Sequence, residues 1–444
     1  MRPDWKCRPA VLIFLAVILT LGGCSNRGTS EPAKNGAGTV PQRADSAGPG
    51  HSDATSPQPN PRNSSESQDP SAPESGSADP AEELLNRMTM AEKIGQLILV
   101  GMEGTTASEQ TRKFIEDAHV GGFIFYKDNI KTSRQSLALF NRLKQDNAAN
   151  PVPLFLSVDE EGGRVSRMPG DFSDIPSAAA IGGTGRVEAA EALYRLIGKE
   201  MTGFGLNMDF APVLDIHSNP DNPVIGDRSF GNTAKRVGGM GIAAMNGLKA
   251  EGVIPVIKHF PGHGDTSVDS HLGLPVLSHD LNRLRQLELL PFQNAIREGA
   301  DVVMIAHLLL PKLDPKAPAS FSEAIIHDLL RKELDFQGVV ISDDLTMGAI
   351  TQHYKIEEAA VRFIRAGGNI ALVGHDPAKQ EAVIQAITRA VEQGEISGEM
   401  LDERVYPILQ LKIKYGLTDK PAQGADQKAI NAGIADVLET YEIR

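Results

Sequence analysis

Eight short apolar runs punctuate the chain from residue 94 onward, and segments with polar faces lie between them. The runs are Ile94–Val100, Gly121–Tyr126, Pro153–Val158, Asn207–Leu214, Val253–Phe260, Asp301–His307, Gly338–Ser342 and Asn369–Val373. Their length and continuity predict buried strands. Helical spacing of apolar positions predicts helices over Val187–Phe204, Ala234–Glu251, Leu281–Glu298, Ser322–Leu334 and Ile356–Ala366, with a closing helix near Asp402–Tyr415. Strand and helix alternate, which predicts an α/β fold, a (β/α)8 TIM-like barrel in a single domain. An open doubly wound sheet is the alternative, but no G-x-G-x-x-G fingerprint follows the first strand.

The first residues follow a different pattern. Arg2, Lys6 and Arg8 form a positive stretch, Ala10 to Leu21 is apolar, and Leu21-Gly22-Gly23-Cys24 ends it. This predicts a secretory signal over 1–23, since a membrane span needs roughly 20 apolar residues. The Leu-Gly-Gly-Cys ending resembles a bacterial lipobox, which implies cleavage before Cys24 and a lipid on its sulfur. An ordinary signal peptide containing a cysteine is the alternative. The expected location is extracytoplasmic, with the chain lipid-anchored to a bacterial membrane. Cys7 leaves with the signal, so Cys24 is the one cysteine of the mature chain, and neither an intramolecular disulfide nor a cysteine zinc site is expected.

Residues 24–80 are rich in Ser, Pro, Gly, Asn, Asp and Glu and almost devoid of large apolar side chains. Such a segment cannot offset its ordering entropy, and it reads as a disordered tether spanning roughly 40 Å. Composition becomes globular over 81–417, and 418–444 reads as a C-terminal tail. The net charge of -13, with dispersed Lys and Arg, argues against a nucleic-acid partner.

A barrel places its chemistry at the C-terminal ends of its strands. Polar clusters fall there. The third strand runs into Asp159-Glu160-Glu161-Gly162-Gly163-Arg164-Val165-Ser166-Arg167, and the fourth into Asp215 and the loop Asn222 to Phe230. The fifth ends in Lys258-His259, followed by Pro261-Gly262-His263-Gly264-Asp265-Thr266 and Asp269-Ser270-His271. The sixth ends in His307 and the seventh in Ser342-Asp343-Asp344. Charged side chains are rarely buried unpaired, so such clusters suit a catalytic mouth. Carboxylates beside Arg and Lys suit a polyhydroxylated ligand. A strand-seven carboxylate suits attack on an anomeric carbon, and a histidine or carboxyl suits protonation of the leaving oxygen, as in retaining glycoside hydrolysis. No HExxH or similar motif is present, and Lys258 would oppose a cation, so neither catalytic metal nor cofactor is expected.

Taken in order, these motifs resemble glycoside hydrolase family 3, in its single-domain β-N-acetylglucosaminidase (β-N-acetylhexosaminidase) branch, here in bacterial lipoprotein form. The matching pieces are Asp159 to Val165, Phe210 to Asp215, Asp227 to Phe230, Lys258 to Thr266, Asp269-Ser270-His271 and Ser342 to Leu345. The resemblance covers about 81–417. It implies that Asp343 is the nucleophile, with Asp344 its nearest competitor. It implies that His271 is the general acid/base and Asp269 its partner. Asp159, Arg167, Arg228, Lys258 and His259 would form the sugar-binding set.

An imidazole titrates near pH 6.5 and can give and recover a proton, while a neighbouring carboxylate orients it. By composition alone His263 is a rival to His271. Gly262, Gly264 and Gly273 suggest a mobile loop. About 27 residues follow Leu417, too few for the second domain of many family 3 β-glucosidases. The resemblance therefore implies removal of nonreducing-end N-acetylglucosamine from peptidoglycan fragments (muropeptides), or from chitin oligosaccharides. The alternatives are a β-glucosidase, a glycoside phosphorylase and a noncatalytic carbohydrate-binding lipoprotein.

Overall fold

In the computed structural model, which describes residues 79–443, the eight apolar runs supply eight strands. The expectations for residues 1–78, Cys24 included, lie outside the described residues. The strands are β1 (Ile98–Gly101), β2 (Gly122–Phe125), β3 (Phe155–Val158), β4 (Met208–Asp209), β5 (Ile254–Phe260), β6 (Val302–Ile305), β7 (Val339–Ser342) and β8 (Ala371–Val373). Each strand from β1 to β6 pairs in parallel with the next, and β1 also pairs with β8. The β7–β8 seam is narrow: Ile341 bridges Ile370, and Ser342 N donates to Ile370 O at 3.0 Å. The result is the expected α/β architecture, a TIM-like barrel. Every strand residue is buried, as parallel strands covered by helices on one side and packed inward on the other require.

Four elements depart from the apolar pattern, three of them for a local reason. Ile94 to Gln96 belong to the helix Met90–Gln96, not to β1. Thr89 and Glu92 form a reciprocal capping box that commits the segment to helix. The Asn207–Leu214 run pairs regularly only at Met208–Asp209, because Pro212 has no N–H to give; Val213 and Leu214 rejoin β5 through Lys258. The Leu281–Glu298 period is broken into Leu281–Gln286 and Leu290–Arg297, with Pro291 at the start of the second helix. Ala324–Glu333 winds as a π-helix rather than an α-helix.

Beyond residue 417 the chain forms a further helix, Gln427–Thr440, which buries Ile430 and Ile434 against the helix Val187–Phe204. The end of the barrel opposite the strand C-termini is closed by Lys412. Its Nζ reaches Gln96 Oε1 (2.7 Å), Gly121 O (2.9 Å) and Pro153 O (2.7 Å), from residues just before β1, β2 and β3. The other end is left open for chemistry.

Candidate active site

At the strand C-termini lies a cavity of about 460 Å³. All eight side chains singled out in the sequence line it: Asp159, Arg167, Arg228, Lys258, His259, Asp269, His271 and Asp343. They come from separate strand ends, so the barrel and not local sequence brings them together.

The floor on one side is an ion-pair network. Lys258, the last-but-two residue of β5, is buried and contacts Asp159 Oδ1 and Glu161 Oε1, both at 2.6 Å. Glu161 also grips Arg228 through two bonds of 2.8 and 2.7 Å. Burial pushes the Glu161 carboxyl up, but Arg228 and Lys258 outweigh it and hold the group far below the usual range. Burial likewise lowers Lys258, and Asp159 and Glu161 reverse the effect, so its ammonium stays charged. Paired charges at this depth are fixed in position, which suits directional recognition of sugar hydroxyls. Glu160 points elsewhere. It accepts from Arg167 N (2.7 Å) and Met168 N (3.2 Å), folding the loop that carries Arg167. The Arg167 Nε is buried and has no hydrogen-bond partner among the described residues, leaving a donor beside the cavity for a ligand.

His259 is held by Asp215. Its Nδ1 lies 2.6 Å from Asp215 Oδ2, and Asp215 Oδ1 accepts from His263 N at 2.6 Å. Asp215 is completely buried; burial would raise its pKa, but His259 and His263 overcome this and keep it ionised. An ionised carboxylate only accepts, so Nδ1 of His259 carries the proton and Nε2 is left beside Arg228 at 3.5 Å.

The two adjacent aspartates after β7 have different fates. Asp344 is saturated: it accepts from Thr346 N (2.9 Å), Thr346 Oγ1 (2.7 Å), Gly374 N (2.9 Å) and the Tyr126 hydroxyl (3.2 Å). Asp343 accepts one backbone bond, from Asp344 N at 2.8 Å, and faces the cavity. Burial raises the Asp343 carboxyl, but His307, then His259, the Asp344 amide and Lys258, bring it below its ordinary value. His307 lies beneath, donating from Nε2 to Asp344 O at 3.0 Å and accepting at Nδ1 from Ser320 at 2.9 Å. Its burial lowers its pKa.

The histidine rivals are separated just as clearly. His271 is exposed on the loop after β5, with Nδ1 2.9 Å from Asp269 Oδ1. The same oxygen accepts from His271 N at 2.8 Å. Burial raises the Asp269 carboxyl, but the two bonds from His271, with the nearby imidazoles of His271 and His263, together bring it below its ordinary value. With Nδ1–H directed at a carboxylate, Nε2 is free for proton transfer. His263 is buried, bonded at Nδ1 to Thr266 Oγ1 (2.8 Å) and pushed below its ordinary pKa by burial.

The glycines differ from their expected role. Gly262 has φ +122°, and a Cβ at Gly264 would lie 1.7 Å from Ile216 O, so both are fitted to a close-packed turn. Gly273 alone of the three has room around it. Tyr126 and His375, stacked at 4.3 Å, complete one wall of the cavity and were not singled out from the sequence. Each directly follows β2 or nearly follows β8, so the strand-end rule applied to all eight strands would have found them.

Carboxylates, imidazoles and paired cations around one barrel mouth are a glycoside-hydrolase arrangement. Residues 89–411 match the family model "Glycosyl hydrolase family 3 N terminal domain", and the chain belongs to that family. Beta-hexosaminidase LpqI of Mycobacterium tuberculosis is 36% identical over 330 residues, covering 72% of this chain and 82% of that protein. Beta-hexosaminidase A of Pseudoalteromonas piscicida is 34% identical over 335 residues, covering 70% of this chain; the chain spans only 56% of that relative's length. A family 3 β-N-acetylglucosaminidase structure from a Paenibacillus species superposes with a TM-score of 0.76 at 40% identity, covering 80% of this chain and 69% of that one.

Proposed function

We propose that this chain is a retaining β-N-acetylglucosaminidase that removes nonreducing-end N-acetylglucosamine from peptidoglycan fragments or related β-linked oligosaccharides. The observation that carries the reading is the pairing, on one cavity, of an ionised and unsaturated Asp343 with an exposed Asp269–His271 pair. Asp159, Arg167, Arg228, Lys258 and His259 hold the sugar. Asp343 attacks the anomeric carbon while His271 Nε2 protonates the leaving oxygen. Asp269 stabilises the imidazolium that exists before transfer and orients the ring. Water, deprotonated by the now neutral His271, then releases the sugar from Asp343. Two inversions give net retention.

The relatives named beta-hexosaminidase and the N-acetylglucosaminidase structure support the choice of sugar. The leader and Cys24 support an extracytoplasmic, lipid-anchored location, which suits wall-derived substrates. Hydrolysis of a chromogenic N-acetyl-β-glucosaminide, alongside the matching glucoside and with and without phosphate, tests the reading. Preference for the glucoside makes the chain a β-glucosidase, and a sugar 1-phosphate product makes it a phosphorylase. NMR of the first-formed sugar should show the β anomer; an initial α anomer rules out the covalent route.

A further inference from the structure

The segment carrying Asp269 and His271 leaves the barrel after β5 and returns at the helix Leu281–Gln286. Its two ends meet. Asp265 Oδ2 lies 2.7 Å from His279 Nε2, across 14 positions of sequence. A third group stands beside them, a carboxylate oxygen of Glu288 within 4.8 Å of both ligand atoms. Glu288 is only 3% exposed. Its Oε1 accepts from Arg283 Nη2 at 2.9 Å, while its Oε2 is buried with no hydrogen-bond partner among the described residues. Buried carboxylate oxygens are normally satisfied. A hydrogen bond between Asp265 and His279 accounts for two of the three groups and leaves Glu288 Oε2 unanswered.

We propose that Asp265, His279 and Glu288 bind a divalent cation of the zinc class and so clasp the root of the loop that carries His271. One imidazole nitrogen with two carboxylate oxygens suits Zn2+ better than Mg2+ or Ca2+, which take oxygen sets. Zinc holds such ligands at about 2.0–2.2 Å, which sets them roughly 3–3.5 Å from one another in a tetrahedron. The Asp265–His279 pair is already close to that separation. Arg283 can remain on Glu288 Oε1, offsetting part of the negative charge, while Oε2 turns to the cation. The Asp265 and His279 side chains are each 27% exposed, so water can complete the coordination. None of the three residues lines the catalytic cavity, and Lys258 with its partners is not involved. A cross-link at the root removes freedom from residues 266–278 between its ends. The benefit to His271 rests on the acid/base reading above; the binding does not.

Titration of the metal-free full-length chain with Zn2+ by calorimetry, with hydrogen exchange read across residues 261–290, tests the proposal. A single equivalent is expected to bind and to slow exchange within 266–278. Co2+ should give the visible bands of a tetrahedral site. Glu288→Gln, which keeps shape, should weaken binding by more than the roughly 10–100-fold caused by losing a residue behind metal ligands. Asp265→Asn should do the same, which keeps the test sound if His279→Ala fails to fold. Asp269→Ala should bind as the parent does. Absence of saturable binding, with Arg283 instead closing on both Glu288 oxygens, overturns the proposal. Binding that survives Glu288→Gln but is lost in Asp269→Ala also overturns it, by placing the cation on the catalytic pair. Uptake without slower exchange in the loop overturns the clasp.

Discussion

Two consecutive aspartates do opposite work after β7, and only their hydrogen bonds distinguish them. Asp344 accepts four bonds and ties β7 to β2 and β8; Asp343 keeps its outer oxygen for the cavity. Asp343→Ala should therefore melt like the parent and lose roughly 10³-fold or more in turnover. Asp344→Ala should lose stability, on the order of 3 kcal/mol, because buried donors lose a charged acceptor. Thermal melts beside steady-state rates check both. A folded, active Asp343→Ala beside a folded, dead Asp344→Ala moves the nucleophile by one residue.

His271→Ala should be selective in its damage. A nitrophenolate leaves with little help, whereas a sugar alkoxide needs its proton. The loss on a disaccharide should approach the about 10²–10⁴-fold commonly due to acid/base catalysis, with a burst and slow turnover on the aryl glycoside. Equal losses at the glycosylation step on both substrates reject His271. His263 is then next in line, although burial and Thr266 hold it. At this scale, residue types and their strand-end positions were readable from the sequence. Which carboxylate is saturated was not, since two of Asp344's four donors, on Tyr126 and Gly374, lie well away in the chain.

Among the elements, the helix Val187–Phe204 carries a liability. Glu200 is buried with Oε1 unpartnered, and its carboxyl is pushed up to about 9 by burial, then by Glu160 and Asp171. The direction of the pH effect follows. Below the unfolded value of 4.5 the group is protonated in both states and costs nothing by linkage. As pH rises above that, the unfolded chain ionises and the folded chain does not, so stability falls until pH nears 9. Glu200→Gln should thus stabilise the fold by on the order of 3 kcal/mol at pH 7, the gain vanishing toward pH 4. Denaturant melts across that range check it; a gain independent of pH shows that Glu200 is ionised in the native protein.

Element boundaries were legible where burial alone decided them. Strands enclosed on both faces read directly as apolar runs, and seven of the eight have three or more residues in regular pairing, β4 being the exception. Boundaries failed where a single backbone feature overrode hydrophobicity, as at the Thr89–Glu92 capping box, Pro212 and Pro291. The helix Gln427–Thr440 carried its own signal in Ile430 and Ile434, one turn apart, but its partner face on Val187–Phe204 is a tertiary matter.

For the molecule as a whole, the barrel was readable because βα alternation repeats eight times, and the cavity because that fold dictates where chemistry gathers. The pairings inside it were not readable: Lys258 meets Asp159 across 99 positions, and Arg228 meets Glu161 across 67. The same long-range logic corrects where the folded part begins. The composition places that boundary at Ala81, yet Asp79 Oδ1 caps the helix Pro80–Arg87 through Ala81 N at 2.9 Å, and the Tyr406 hydroxyl donates to its Oδ2. The helix buries Ala81 and Leu85 against the helix Gly398–Lys414. A chain starting at Ser77 should therefore keep both the full specific activity and the full melting point, since no site residue precedes Asp159 in the catalytic or sugar-binding sets. A chain starting at Ala81 should keep the activity but lose about 1 kcal/mol with its cap. Under the proposed lipid anchor on Cys24, which both chains lack, both should be found in the soluble fraction. Rates on an aryl N-acetyl-β-glucosaminide, denaturant melts and membrane fractionation separate these outcomes. A well-folded Ser77 chain with lowered kcat/KM would show that the Ser/Pro/Gly-rich segment contributes to the site, and equal melts for the two chains would show that Asp79 does no capping of consequence.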